Sequence, residues 1–125
     1  MILGHGVDLV KVDRIARSID RFQDRFLQRV FTEGERRYSG QSRRRDEHLA
    51  ARFAAKEAVL KALGTGWSQG VSWTDIEVVS QASGRPALAL HGRAADVARQ
   101  MGVKWWHLSL THTDGLAMAS VIAEG

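Results

Sequence analysis

Apolar and polar residues alternate from Ile2 to Val10, which predicts a strand. Leu3, His5, Val7 and Leu9 share one face, and Ile2, Gly4, Gly6, Asp8 and Val10 share the other. From Val12 the spacing changes to three and four. Val12, Ile15, Ile19, Phe22, Phe26 and Val30 form one helical stripe, and Arg14, Arg17, Arg21, Arg25 and Arg29 form a second. No strong cap makes this a single helix, so a break is expected between Asp20 and Asp24. Thr32-Glu33-Gly34-Glu35 has capping-box spacing and predicts a short helix ending near Tyr38-Ser39-Gly40. A basic loop, Arg43-Arg44-Arg45, leads to the main helix, Asp46 to Leu63, with Gly64 as its left-handed cap.

The second half reads as two hairpins around a helix. Strands are expected over Trp73 to Ser80 and Pro86 to His91, joined through Ser83-Gly84-Arg85. A helix over Ala94 to Met101 ends at Gly102. Strands follow over Val103 to Thr111 and Leu116 to Ala123, with Thr113-Asp114-Gly115 as a hairpin turn. This order predicts an α+β fold in a single domain over residues 1–125, with a largely antiparallel sheet and a long central helix.

The main helix carries the sharpest anomaly. At ~100° per residue, Ala50, Phe53, Ala54 and Leu60 fall within ~60° of Glu57, and so does Lys61. A carboxylate and an amine are therefore expected on the buried face, where an unpaired charge costs several kcal/mol or neutralises itself. A surface Glu–Lys pair at i,i+4, worth about 0.3–0.5 kcal/mol, is the plainer reading. Asp8 is equally odd, set mid-strand beside two glycines that clear space for a ligand or a close-packed helix. As a helix N-cap it would sit too early, because Leu9, Val10 and Lys11 intervene before the helical period. Asp8 and Glu57 together suit Mg²⁺, which takes oxygen ligands and usually one or two carboxylates, with phosphates and waters completing its shell. Lys61, one turn after Glu57, then stands where a phosphate oxygen needs a second positive partner.

Composition narrows the setting. The chain of 125 residues is long enough for one core and lacks cysteine, which excludes disulfides, a thiolate zinc site and a cysteine nucleophile. The longest apolar run, Leu116 to Ala123, is too short to span a bilayer, and no signal-peptide layout opens the sequence, so a cytoplasmic protein without a membrane partner is expected. A net charge of +4, with arginine concentrated between Arg14 and Arg52, predicts an anionic partner.

Four segments in order resemble the signature of holo-[acyl-carrier-protein] synthases, the small bacterial type of 4′-phosphopantetheinyl transferase. They are Gly6-Val7-Asp8-Leu9, Phe31-Thr32-x-x-Glu35, Arg52-Phe53-Ala54-Ala55-Lys56-Glu57-Ala58-x-x-Lys61 and Leu108-Ser109-Leu110-Thr111-His112. The resemblance covers the whole chain, and the block from Phe53 to Lys61 is its most specific part. It implies transfer of phosphopantetheine from coenzyme A to a serine of acyl carrier protein, in support of fatty acid biosynthesis. Asp8 and Glu57 would ligate Mg²⁺ and Lys61 would neutralise the pyrophosphate, while a water relaying to Glu57 or Asp8 is one route for the serine proton. His112 would contact coenzyme A near its nucleotide end, and the Gly84-Arg85-Pro86 segment would lie beside the nucleotide, although an ordinary turn also explains Gly84 and Pro86.

The resemblance further implies a homotrimer with active sites between subunits, and an acidic carrier steered by Arg14, Arg21, Arg25 and Phe26. Arg17 and Arg29 fit a solvated face. Arg43 to Arg45 suit either the 3′-phosphate of coenzyme A or plain loop charge. Trp67, Trp73, Trp105 and Trp106 are expected in the core or a subunit interface, with both faces of the last strand pair covered. The competing reading is a nucleic-acid-binding module on the arginine ridge. Against it, Asp13, Asp20 and Asp24 interleave with the arginines and no nucleic-acid motif occurs.

Overall fold

A computed structural model describes residues 1–40 and 44–125. Strand β1 (Ile2–Lys11) runs into helix α1 (Val12–Phe22), followed by α2 (Asp24–Val30), α3 (Glu33–Gly40) and the long α4 (Arg45–Leu63). A 3₁₀ turn over Trp73–Asp75 then leads to β2 (Ile76–Ser80), β3 (Pro86–Leu90), α5 (Gly92–Met101), β4 (Trp105–Thr113) and β5 (Leu116–Glu124). All pairings among the described residues are antiparallel and fall into a three-stranded sheet ordered β1-β5-β4 and a separate two-stranded sheet, β2-β3. The α+β architecture is the expected one. Trp73 to Asp75 is a correction: these residues coil as a 3₁₀ turn because Ser72 and Asp75 close a capping box on each other.

The expected break between α1 and α2 falls at Gln23, whose φ of 48° lies in the left-handed region. That kink divides the apolar stripe: Ile15, Ile19 and Val30 are buried, but Phe22 stays 45% exposed. Asp114 and Gly115 both have positive φ (50° and 74°), the signature of a two-residue type I′ hairpin turn between β4 and β5.

Helix α4 is buried almost all round, its alanines letting strands approach closely on the sheet side. Ala117, Ala119, Val121 and Ala123 of β5 form the inward row, and the glycine row of β1 lies beside it. A side chain at Gly4 would collide with the carbonyl of Ala62, and one at Gly6 with that of Ala58. The two glycines thus make room for the helix, and Asp8 is the next residue along that face. The opposite face of the sheet carries Val7, Leu9, Met118 and Trp105, each exposed in the single chain. Trp106 packs on the core, so only one of the adjacent tryptophans is covered within one chain.

Candidate active site

Lys61 leaves α4 toward the edge strand β1, where its ammonium donates to the Val7 carbonyl at 2.8 Å and to Asp8 Oδ1 at 3.2 Å. The pairing is thus with Asp8 rather than with Glu57 in the same helix. The expected buried face is corrected as well. Lys61 is more than half exposed and Glu57 half-buried, while the amine that is fully buried is Lys56.

Glu57 stands between these groups. Burial raises its pKa, and the charge of Asp8 raises it further, whereas a hydrogen bond from the Trp67 indole and the charges of Arg14 and Lys61 pull it down. Two carboxylates that repel each other in a partly desolvated place form a natural seat for a cation. Among the described residues no three His, Cys, Asp or Glu side chains gather as a metal site. A pair of carboxylate donors matches Mg²⁺, which leaves most of its octahedron to water and phosphate oxygens.

Arg14, expected to meet a carrier, also lies over the Phe53 ring at 5.3 Å and close enough to Glu57 to influence it. Arg21 stacks on Phe22 at 5.1 Å. Arg25 and Phe26 line an open cleft of about 680 Å³ together with Phe22, Gln28 and Arg29. Charged and aromatic groups therefore alternate along α1 and α2.

His112, Gly84 and Pro86 come together elsewhere. They line a cleft of about 350 Å³ with Tyr38, His48, Arg52, Ser80 and Leu110. His112 Nδ1 meets Glu47 Oε2 at 2.9 Å, tying β4 to the first turn of α4. Gly84, at φ 86°, makes the turn of the β2-β3 hairpin. Arg52 lies over the Tyr38 ring at 4.5 Å and donates to the His48 carbonyl at 3.3 Å. Buried Nε of Arg52 and Nδ1 of His48 have no partner among the described residues, which leaves two polar atoms for a ligand in this cleft. Burial and the nearby Arg52 charge hold the His48 imidazole below its ordinary value.

Sequence reasoning missed Tyr38, His48 and Arg52. The available signal was Arg52 itself, a guanidinium opening an otherwise apolar run of α4. Of the arginine loop, Arg43 lies outside the described residues, and Arg45 pairs with Asp46 at 3.2 Å. The two groups of site residues do not meet within the chain. From Arg52 to Glu57 is about 7.5 Å along the helix and about 140° around it.

The profile of the 4′-phosphopantetheinyl transferase superfamily matches residues 4–119. A holo-[acyl-carrier-protein] synthase of Solibacter usitatus is 54% identical over 124 residues, 99% of either chain. Among solved structures, the enzyme of that name from Neisseria meningitidis superposes with a TM-score of 0.91 at 34% identity, covering 100% of both chains. That from Helicobacter pylori, in complex with coenzyme A, has a TM-score of 0.84 at 28% identity, covering 96% of this chain and 99% of its own.

Proposed function

The chain belongs to the 4′-phosphopantetheinyl transferase superfamily, among the holo-[acyl-carrier-protein] synthases, and from that premise we propose how its residues carry out the transfer. The reaction moves 4′-phosphopantetheine from coenzyme A to apo-acyl carrier protein. The carrier's serine oxygen bonds to the β-phosphorus as its proton leaves through a water to Glu57 or Asp8, the bond to the bridging oxygen breaks, and adenosine 3′,5′-bisphosphate leaves.

The convergence of Asp8, Glu57 and Lys61 on one corner between β1 and α4 carries this reading. Asp8 and Glu57 hold Mg²⁺, which when bound neutralises the pyrophosphate charge and orients it for displacement. The Trp67 indole stands close enough to the Glu57 carboxylate to lower its pKa. Lys61 is held by the Val7 carbonyl with one N–H left over, and it turns that ammonium to the pyrophosphate. The charge that builds on the leaving oxygen then meets a preplaced cation.

The cleft at His112, Gly84, Pro86 and Arg52 takes the nucleotide end of coenzyme A, supported by its orphaned nitrogens. Because that cleft is remote from Glu57 in one chain, the complete site joins two subunits. The exposed row of Val7, Leu9, Met118 and Trp105 supports association across the outer sheet face, as a homotrimer. The acidic carrier docks along Arg14, Arg21, Arg25 and Phe26. One transferase domain, residues 1–125, acts in the cytoplasm and supplies holo-carrier to fatty acid biosynthesis; no described helix is long and apolar enough to cross a membrane.

Incubation with apo-acyl carrier protein, coenzyme A and Mg²⁺, followed by mass measurement of the carrier, tests the reading. The carrier should gain one phosphopantetheine, and EDTA should prevent the gain. An unmodified carrier where a control enzyme succeeds would overturn the function, and EDTA-resistant transfer would overturn the metal assignment.

A further inference from the structure

We propose that the buried Lys56–Glu35 pair is a positioning device for the nucleotide cleft, holding the β2-β3 hairpin at its open edge so that Gly84 and Pro86 face His112 and Arg52. This rests on the reading of that cleft as the coenzyme A nucleotide site.

Strand β2 pairs with β3 on one side only. Residues two apart in a strand send their amide and carbonyl groups to the same side, so Ile76 and Val78 present an edge together. Among the described residues no third strand covers that edge. Lys56 Nζ donates to the Ile76 carbonyl and, at 3.1 Å, to that of Trp73. Glu35 Oε2 accepts the Val78 amide at 2.8 Å. The two side chains meet at 2.9 Å and are wholly buried. An ion pair therefore does what a neighbouring strand would do, satisfying one carbonyl and one amide of the edge.

The attachment also resists sliding. Glu77, between the two anchored residues, accepts from Thr32 Oγ1 at 2.6 Å, and Thr32 caps α3 by accepting the Glu35 amide at 3.2 Å. The Glu35 carboxylate returns to the Thr32 amide at 2.9 Å. Three successive residues of β2 are thus fixed to α3 and α4. Ser80, Gly84 and Pro86, which line the cleft, lie within about 13 Å of that anchor at the strand's rise per residue or in the turn beyond it. The other wall, Arg52 and His48, belongs to α4, the helix that carries Lys56. One pair sets the distance between both walls.

Steady-state kinetics of Glu35→Gln, with hydrogen exchange on the same protein, provide the test. The KM for coenzyme A should rise about tenfold, with kcat at saturation changed less than about threefold and the KM for carrier unmoved. Exchange should quicken in residues 76–90, beginning at the Val78 amide, while β1, β4 and β5 stay protected. A folded variant with wild-type KM for coenzyme A, or exchange quickened equally throughout, overturns the proposal.

If Glu35→Gln does not fold, Glu35→Asp carries the test, because it keeps a counter-ion for Lys56 and withdraws the carboxylate from the Val78 amide. It should raise that KM about threefold and quicken exchange at the Val78 amide, and an unchanged KM for coenzyme A overturns the proposal. A wild-type protein that modified no carrier would remove the reaction reading instead, leaving the exchange pattern to decide the tether.

Discussion

Lys56 and Lys61 leave the same helix five residues apart and meet carboxylates at similar distances, 2.9 Å to Glu35 and 3.2 Å to Asp8. Their surroundings are opposite. All three donors of Lys56 are used, on Glu35, Trp73 and Ile76, and Glu35 also accepts from Thr32 and Val78. Lys61 reaches Asp8 and Val7 with an N–H to spare, beside a Glu57 whose pKa is raised by burial and by Asp8. Ion-pair distance alone does not separate structure from chemistry. What separates them is whether every valence is filled, since a closed pair has nothing left to offer a ligand.

An open cluster that proved dispensable would remove the contrast between the two lysines. Asp8→Ala and Glu57→Ala should each lower transfer about a thousandfold or more, the loss of several kcal/mol of charge stabilisation, with circular dichroism unchanged. In the closed pair, Lys56→Met should destabilise by about 3–5 kcal/mol in urea unfolding, because Glu35 is left buried without its counter-ion. Lys61→Ala should reverse that pattern: transfer falls about a hundredfold, while stability changes by less than about 1 kcal/mol, as for a pair whose lysine is more than half exposed. A stability loss at Lys61 as large as at Lys56 would erase the distinction.

A smaller effect concerns pH. Since the native pKa of Glu57 lies above its ordinary 4.5, the folded chain binds more protons than the unfolded one between those values. Stability contributed by protonated Glu57 is full below 4.5 and is lost as pH rises through the native value. Glu57→Gln should therefore melt slightly higher than wild type at pH 7, with the gap closing toward acid pH. Melting curves across pH check this sign. A gap that widened in acid would mean that Glu57 is stabilised as the anion.

Much of this was legible in the chain because local signals agreed with the fold. The capping box at Thr32 and Glu35, Gly64 with φ 74° after α4, and the Asp114-Gly115 turn each act within a few residues. Asp8 stood out because its neighbours on the strand face are glycines. Lys56 and Lys61 were harder to separate. The helical stripe around Glu57 included Lys61, but α4 is buried nearly all round, so a single-stripe argument misassigned which lysine lies inside. That Lys56 closes the edge of β2 depends on chain returning some twenty residues later, which no local period records. The cleft at His48 and Arg52 likewise forms only when α3, α4, β4 and the hairpin meet.

On the proposed function the open cluster reacts and the closed pair is its scaffold. The most direct measurement is the rate at which Glu57→Gln converts apo-acyl carrier protein, followed by mass with coenzyme A and Mg²⁺. The carrier should be left unmodified by a protein that melts no lower than wild type. Conversion at close to the wild-type rate would contradict it.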